Sequence, residues 1–159
     1  MTIAVYAGSF DPFTYGHLDI LKHSTEIFDK VLVCVAYNPE KKHLLTPEER
    51  VEIIKKCTAD FSNIEIHSFD GLTVDFAKKH GANVLVRGIR NTVDYEYENQ
   101  LAQINAKLNK DITTVFVTPK PELTSISSSA VRELLIHKCD LSDFVPAIVA
   151  EFLYKKFDY

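Results

Sequence analysis

No stretch of the chain approaches the roughly 20 consecutive apolar residues of a membrane-spanning helix, so no membrane association is expected. The opening residues lack a charged leader region and their apolar run stops at Gly8, which predicts no secretory signal. A basic excess is missing as well: 18 Lys and Arg stand against 22 Asp and Glu, a net charge of -4. That balance argues against a nucleic-acid partner held by general charge. The three cysteines, Cys34, Cys57 and Cys139, are far apart and show no CxxC spacing. Free thiols in a reducing, cytoplasmic setting are the expectation. The histidines show no metal-binding spacing such as HExxH, so no protein-held metal is expected. Repeats, low-complexity tracts and linkers are absent, and residues 1–159 are expected to form a single domain.

Two phosphate-binding signatures are also missing, GxxxxGK[ST] and GxGxxG. What stands in their place is the opening run Ile3 to His17. A β-prone segment, Ile3 to Ala7, stops at Gly8; a turn-rich loop follows, and Gly16-His17 opens an amphipathic segment with Leu18, Leu21, Ile27 and Phe28. Strand, loop and helix in that order put a helix N-terminus opposite a strand's carboxyl end, a natural anion site. Gly8 and Gly16 allow backbone to approach a phosphate closely. His17 at that corner can hydrogen-bond a phosphate oxygen as charge builds on it.

The remaining chain alternates strands and helices. Val31–Ala36 is apolar throughout, the pattern of a strand covered on both faces. Thr46, Pro47 and Glu49 predict a helix start with a capping box, and Val51, Ile54 and Cys57 its inner side. Further strands are expected at Ile64–His67, Val84–Val86 and Thr113–Val117. Helices are expected over Leu72–Lys79, over Val93–Leu108 with Leu101, Ile104 and Leu108 as the inner stripe, after Ser127–Ser129, and over Val145–Phe157. Five strands alternating with helices predict an α/β fold with a mainly parallel sheet. In such sheets ligands bind beyond the carboxyl ends of the strands.

Several further groups fall in that position. Arg87 and Arg90, separated by Gly88 and Ile89, can fork onto phosphate oxygens. Lys41 and Lys42 lie in the loop after the second strand. Ser127, Ser128 and Ser129 supply hydroxyls and free N–H groups at a helix start, which suits a triphosphate. The tyrosines and phenylalanines are read as core residues.

Four segments together resemble the bacterial phosphopantetheine adenylyltransferases over nearly the whole chain. They are Gly8-Ser9-Phe10-Asp11-Pro12-x-Thr14-x-Gly16-His17; Asn38-Pro39-x-Lys41-Lys42; Arg87-Gly88-Ile89-Arg90 with Asp94-Tyr95-Glu96-Tyr97-Glu98; and Ile126-Ser127-Ser128-Ser129-x-x-Arg132. T-x-G-H alone points only to the wider nucleotidyltransferase superfamily, and the other segments narrow it. The resemblance implies a Rossmann-like doubly wound fold and adenylyl transfer from ATP to 4′-phosphopantetheine with Mg²⁺, a late step of coenzyme A biosynthesis. It implies that His17 stabilises the transition state and contacts ATP, with Ser9 and Phe10 beside it. Ser9, Lys41, Thr73 and Arg87 would then hold the phosphopantetheine. Gly88, Ile89, Arg90, Glu98, and Leu123, Thr124, Ser125, Ile126, Ser127, Ser128 and Ser129 would hold the ATP. A homohexamer and feedback inhibition by coenzyme A are implied too. The chain departs from the family's usual pattern at Ala7, where proline is common, and at Leu123 and Ser125, where aromatics are common. The alternatives are another acceptor, such as nicotinamide mononucleotide, a cytidylyl transfer, or a non-catalytic ATP-binding regulator.

Overall fold

The structure, a computed structural model, describes residues 1–159. Strands β1 (Ile3–Gly8), β2 (Lys30–Ala36), β3 (Ile64–Phe69), β4 (Val84–Gly88) and β5 (Thr113–Val117) form one sheet in the order β3-β2-β1-β4-β5. Every neighbouring pair is parallel. Helices α1 (Tyr15–Ile27), α2 (Pro47–Cys57), α3 (Thr73–Lys79), α4 (Thr92–Leu108), α5 (Ser128–Ile136) and α6 (Ala147–Lys156) connect and cover it. This is the α/β, doubly wound, Rossmann-like architecture expected.

Alternation along the strands sorts the two faces. Ala4, Tyr6, Val31, Val33, Val35 and Val86 point into the larger core, which holds Leu21, Ile54, Val131, Leu135, Val149 and Leu153 from α1, α2, α5 and α6. Val5, Ala7, Leu32, Cys34 and Leu85 point the other way, onto Val74, Phe76 and Ala77 of α3. β2 is buried along its middle on both faces, as its unbroken apolar run requires. Burial pushes the Cys34 thiol up to about 12 and the Cys57 thiol up to about 11, so neither is a ready nucleophile. No helix is long and apolar enough to cross a membrane.

The α2 start is as read from the sequence. Thr46 Oγ1 accepts from the Glu49 amide, and the Glu49 carboxylate accepts from the Thr46 amide. Other boundaries move: β3 continues to Phe69 and β4 to Gly88, while α6 starts only at Ala147, after Pro146. The inner stripe expected on α4 is not inner. Ile104 and Leu108 are 53% and 56% exposed, and Glu98 is the one buried residue of the helix. Packing mainly on the short edge strand β5, α4 has too little partner surface to cover that stripe. Ile27, expected to pack inward from α1, also faces solvent, because it sits at the last position of its helix.

The sheet order reverses at β1, whose chain leads on to β2 on one side while β4 enters on the other. The loops leaving β1 and β4 therefore diverge, and the crevice they leave is the switch point where such folds bind ligands.

Candidate active site

A cavity opens at that crevice, lined by Ser9, Phe10, His17, Arg87, Gly88, Arg90, Glu98, Ile126, Ser127 and Ser128 among the residues expected from the sequence. It also takes in Tyr6, Ala7, Gly8, Thr14, Gly16, Ile20, Asp94 and Pro119. Ile89 and Ser129 are not on its wall, nor are Lys41 and Thr73, which lie in the loop after β2 and at the first turn of α3. The segment Leu123 to Ser125 runs outside the wall too. Its backbone passes near the start of α1: a Cβ on Gly16 would meet the carbonyls of Leu123 and Ile126 at 3.9 and 3.7 Å.

His17 is oriented by the helix it belongs to. Thr14 caps α1, and its side-chain oxygen accepts from the His17 amide at 3.3 Å. In return the Thr14 amide donates to His17 Nδ1 at 3.0 Å. This is a capping box in which histidine takes the place of the usual Glu or Gln. Because Nδ1 accepts, the neutral ring carries its proton on Nε2. Burial, then the positive charges of Arg90 and Arg87, lower the imidazole to about 4. The ring is a neutral donor. Phe13 stacks on it at 5.7 Å and Phe10 meets it edge-on at 5.1 Å.

The loop that carries Phe10 is fixed from several directions. Phe10 has φ +50, the left-handed region where a non-glycine residue is strained. Arg50 of α2 donates to the Ser9 carbonyl at 2.8 Å, Arg132 of α5 to the Asp11 carbonyl at 2.7 Å, and Ser128 Oγ to the Pro12 carbonyl at 2.8 Å. The Asp11 carboxylate accepts from the amides of Leu44 and Leu45 at 2.7 and 2.9 Å, tying the loop after β1 to the loop after β2. Arg50 is 1% exposed, and burial lowers its affinity for a proton while the Asp11 charge supports it. Gly8 fits tightly beneath: a Cβ there would lie 3.1 and 3.2 Å from the Phe10 ring.

Both arginines are partnered. Arg87 Nε and Nη2 donate to the two Glu98 oxygens at 2.7 and 2.8 Å, and Nη1 donates to the Ala7 carbonyl at 2.7 Å. Burial opposes the Arg87 charge, but the Glu98 hydrogen bonds and charge outweigh it and raise its proton affinity. Of five N–H donors, three are used and two stay available. Arg90 is held by Asp94, with Nε to Oδ2 at 2.9 Å and its own amide to Oδ2 at 3.0 Å, while Nη1 reaches the Ile126 carbonyl at 3.3 Å. Arg90 therefore bridges the loop after β4 and the loop before α5.

The serines divide their work differently from the expectation that their hydroxyls face a triphosphate. Ser127 Oγ caps α5 by accepting from the Ala130 amide, Ser128 Oγ donates to Pro12, and Ser129 Oγ accepts from Arg132. What α5 offers a ligand is its first-turn N–H groups and dipole. The Asp11 contacts and that of Arg50 with Ser9 have no local sequence signature, since their partners lie on other elements, whereas Arg90 and Asp94 stand four residues apart.

A family model of cytidylyltransferase-like proteins matches residues 5–134. The phosphopantetheine adenylyltransferase of Caldanaerobacter subterraneus subsp. tengcongensis is 46% identical over 99% of this chain and 98% of its own length. The same-named proteins of Lachnoclostridium phytofermentans and Desulfitobacterium hafniense are also 46% identical, over 99% of this chain and 97% and 96% of theirs. Among solved structures, a Vibrio parahaemolyticus protein described as a nicotinate-nucleotide adenylyltransferase aligns with TM-score 0.75, covering 99% of this chain and 94% of that one. At 19% identity, that likeness concerns the fold.

Proposed function

The chain belongs to the phosphopantetheine adenylyltransferases, and from that membership and the site's geometry we propose that it transfers the adenylyl group of ATP to 4′-phosphopantetheine. The acceptor's phosphate oxygen attacks the α-phosphorus, the bond to the β-phosphate oxygen breaks, and dephospho-coenzyme A and pyrophosphate leave. Nicotinamide mononucleotide as acceptor, or a regulator without turnover, is not favoured: the full-length relatives at 46% identity carry the phosphopantetheine name.

The observation that carries the mechanism is the neutral His17 with its proton on Nε2. A phosphate monoester is largely dianionic near pH 7, because its second pKa is about 6. The nucleophile thus needs no base, and His17 has no proton to remove. Its task is to donate a hydrogen bond to the α-phosphate oxygen as charge gathers there. Arg90 and the α5 N-terminus are assigned to the β- and γ-phosphates, and Gly88, Ile89 and the Leu123–Ser129 segment to the rest of the nucleotide. Arg87, Ser9, Lys41 and Thr73 are assigned to the acceptor. Lys41 is exposed in the loop after β2 and lies off the cavity wall. Glu98 acts by holding Arg87, and Phe10 by packing on His17.

The carboxylates on the cavity wall, Asp94 and Glu98, are each engaged by an arginine, and no cluster of three or more metal-ligating side chains exists. The site therefore fits an ion that arrives on the triphosphate, Mg²⁺ in this proposal, which would shield the charge of the phosphates. A homohexamer is proposed as well. Its support is α4, which turns Val93, Tyr95, Tyr97, Ile104 and Leu108 to solvent. Coenzyme A, an extended relative of the product, is the proposed feedback inhibitor, and a cytoplasmic setting agrees with the unpaired cysteines.

Pyrophosphate release with ATP and 4′-phosphopantetheine, run beside nicotinamide mononucleotide and glycerol 3-phosphate, tests the reading. Release with phosphopantetheine alone, yielding dephospho-coenzyme A, is expected. Release with another acceptor moves the substrate, and ATP binding without any release makes the protein a regulator.

A further inference from the structure

Tyr6 is the residue of the cavity floor that neither the motif nor the packing accounts for. It stands on the central strand β1, paired with Val33 on one side and Val86 on the other, and is 4% exposed. Its ring packs edge-on against Phe10 at 5.2 Å, an interplanar angle of 76°. Phenylalanine would serve that packing equally well. The hydroxyl makes no hydrogen bond within the protein, and it is not sealed in the core: Tyr6 lines the cavity, with Arg87 and Glu98 as its charged neighbours. Tyrosine hydroxyls in protein interiors normally find a protein partner; this one has none and opens onto the cavity, so its proton is free for a bound group.

The neighbouring ion pair shows what the hydroxyl is suited to. Glu98 cancels the charge of Arg87 while leaving it two free N–H groups. An anion at this point is recognised by directed donors more than by net charge. A phenol adds a donor without adding charge, and burial holds Tyr6 well above the ordinary tyrosine range, so it stays protonated at working pH. The ring cannot swing away, because Phe10 and the sheet confine it.

We propose that the Tyr6 hydroxyl is a substrate-contacting group, donating a hydrogen bond to an oxygen of the acceptor's phosphate beside the free N–H groups of Arg87. This rests on the reading that Arg87 takes the acceptor. Tyr6→Phe removes the one oxygen and keeps the ring. In that variant KM for 4′-phosphopantetheine, and its Kd by calorimetry, should rise about tenfold, as the loss of one hydrogen bond to a charged oxygen predicts. KM for ATP should stay within about twofold and the melting temperature within a few degrees, as for a change that alters binding to one substrate only. Unchanged phosphopantetheine constants overturn the proposal, as do equal rises for both substrates or a variant too unstable to assay. A parent enzyme that turns over phosphopantetheine separates this failure from failure of the functional reading. A parent that does not would withdraw both.

Discussion

The Thr14 amide lies 3.0 Å from His17 Nδ1 and so decides which imidazole nitrogen can meet a substrate. The ring's proton affinity is lowered to about 4, so it is neutral above that pH and charged only below it. Nitrogen-detected NMR should show the Nε2–H tautomer and a titration midpoint near 4. The activity should show no dependence on this group's titration between about pH 8 and 5, and decline as pH falls toward the midpoint. A midpoint near the ordinary histidine value of about 6.5 would mean the burial and the two arginines do not act as described.

Replacing His17 by alanine removes a donor aimed at developing charge. The expected loss is about 10²–10³ in kcat, with a milder change in substrate binding, as for other single oxyanion donors. Single-turnover rates at saturating ATP measure it directly. Turnover near the parent's would remove His17 from the chemistry.

Gly8→Ala acts on His17 at one remove. The new Cβ would press on the Phe10 ring at 3.1 Å, and that ring is wedged among Tyr6, Phe13 and His17. Overpacking of this kind costs about 1–3 kcal/mol. A lower melting temperature is expected together with a reduced kcat. Full activity would show that Phe10 is free to shift.

Glu98→Gln replaces a bidentate ion pair by at most one hydrogen bond from the Arg87 guanidinium to an uncharged oxygen. Arg87 is partly reachable by water from the cavity, which reduces the penalty relative to a sealed pair, so about 1–3 kcal/mol of stability should be lost. Urea unfolding reads this. KM for phosphopantetheine should rise more than KM for ATP, because the group set adrift is Arg87.

Asp11→Ala strips two amides, those of Leu44 and Leu45, of their acceptor and leaves the buried Arg50 without its nearest negative charge. Breaking a buried charge arrangement from one side costs about 3–5 kcal/mol. Asp11→Asn, which keeps one acceptor oxygen, should lose roughly half as much. Equal stability for all three proteins would mean that the loops after β1 and β2 are not coupled through this carboxylate.

The fold was legible where local chemistry decides it. Thr46 and Glu49 announce α2 three residues apart, and the unbroken apolar run of β2 announces a strand covered on both sides. The α4 stripe misled because periodicity reports which residues share a side, not whether anything covers that side; Ile104 and Leu108 share one and face solvent. Of the site, the T-x-G-H corner and the two arginines could be read directly. Glu98 and a serine cap on α5 were legible too, but not that Glu98 holds Arg87 or that Ser128 reaches back to the loop after β1. Ser128 bonds Pro12 and Arg132 bonds Asp11 across more than a hundred residues, and one sequence carries no record of such distances.

The attachments of the Ser9–Pro12 loop are spread over three parts of the fold: α2, α5 and the approach to α2. Such a loop loses its conformational freedom when the protein folds, not when a substrate arrives. The ordering cost is incurred once per molecule, where a flexible loop would incur it at every turnover. The same wiring makes the corner a sensor of the whole structure: loosening α2 or α5 anywhere along its length should blunt activity before it measurably unfolds the protein.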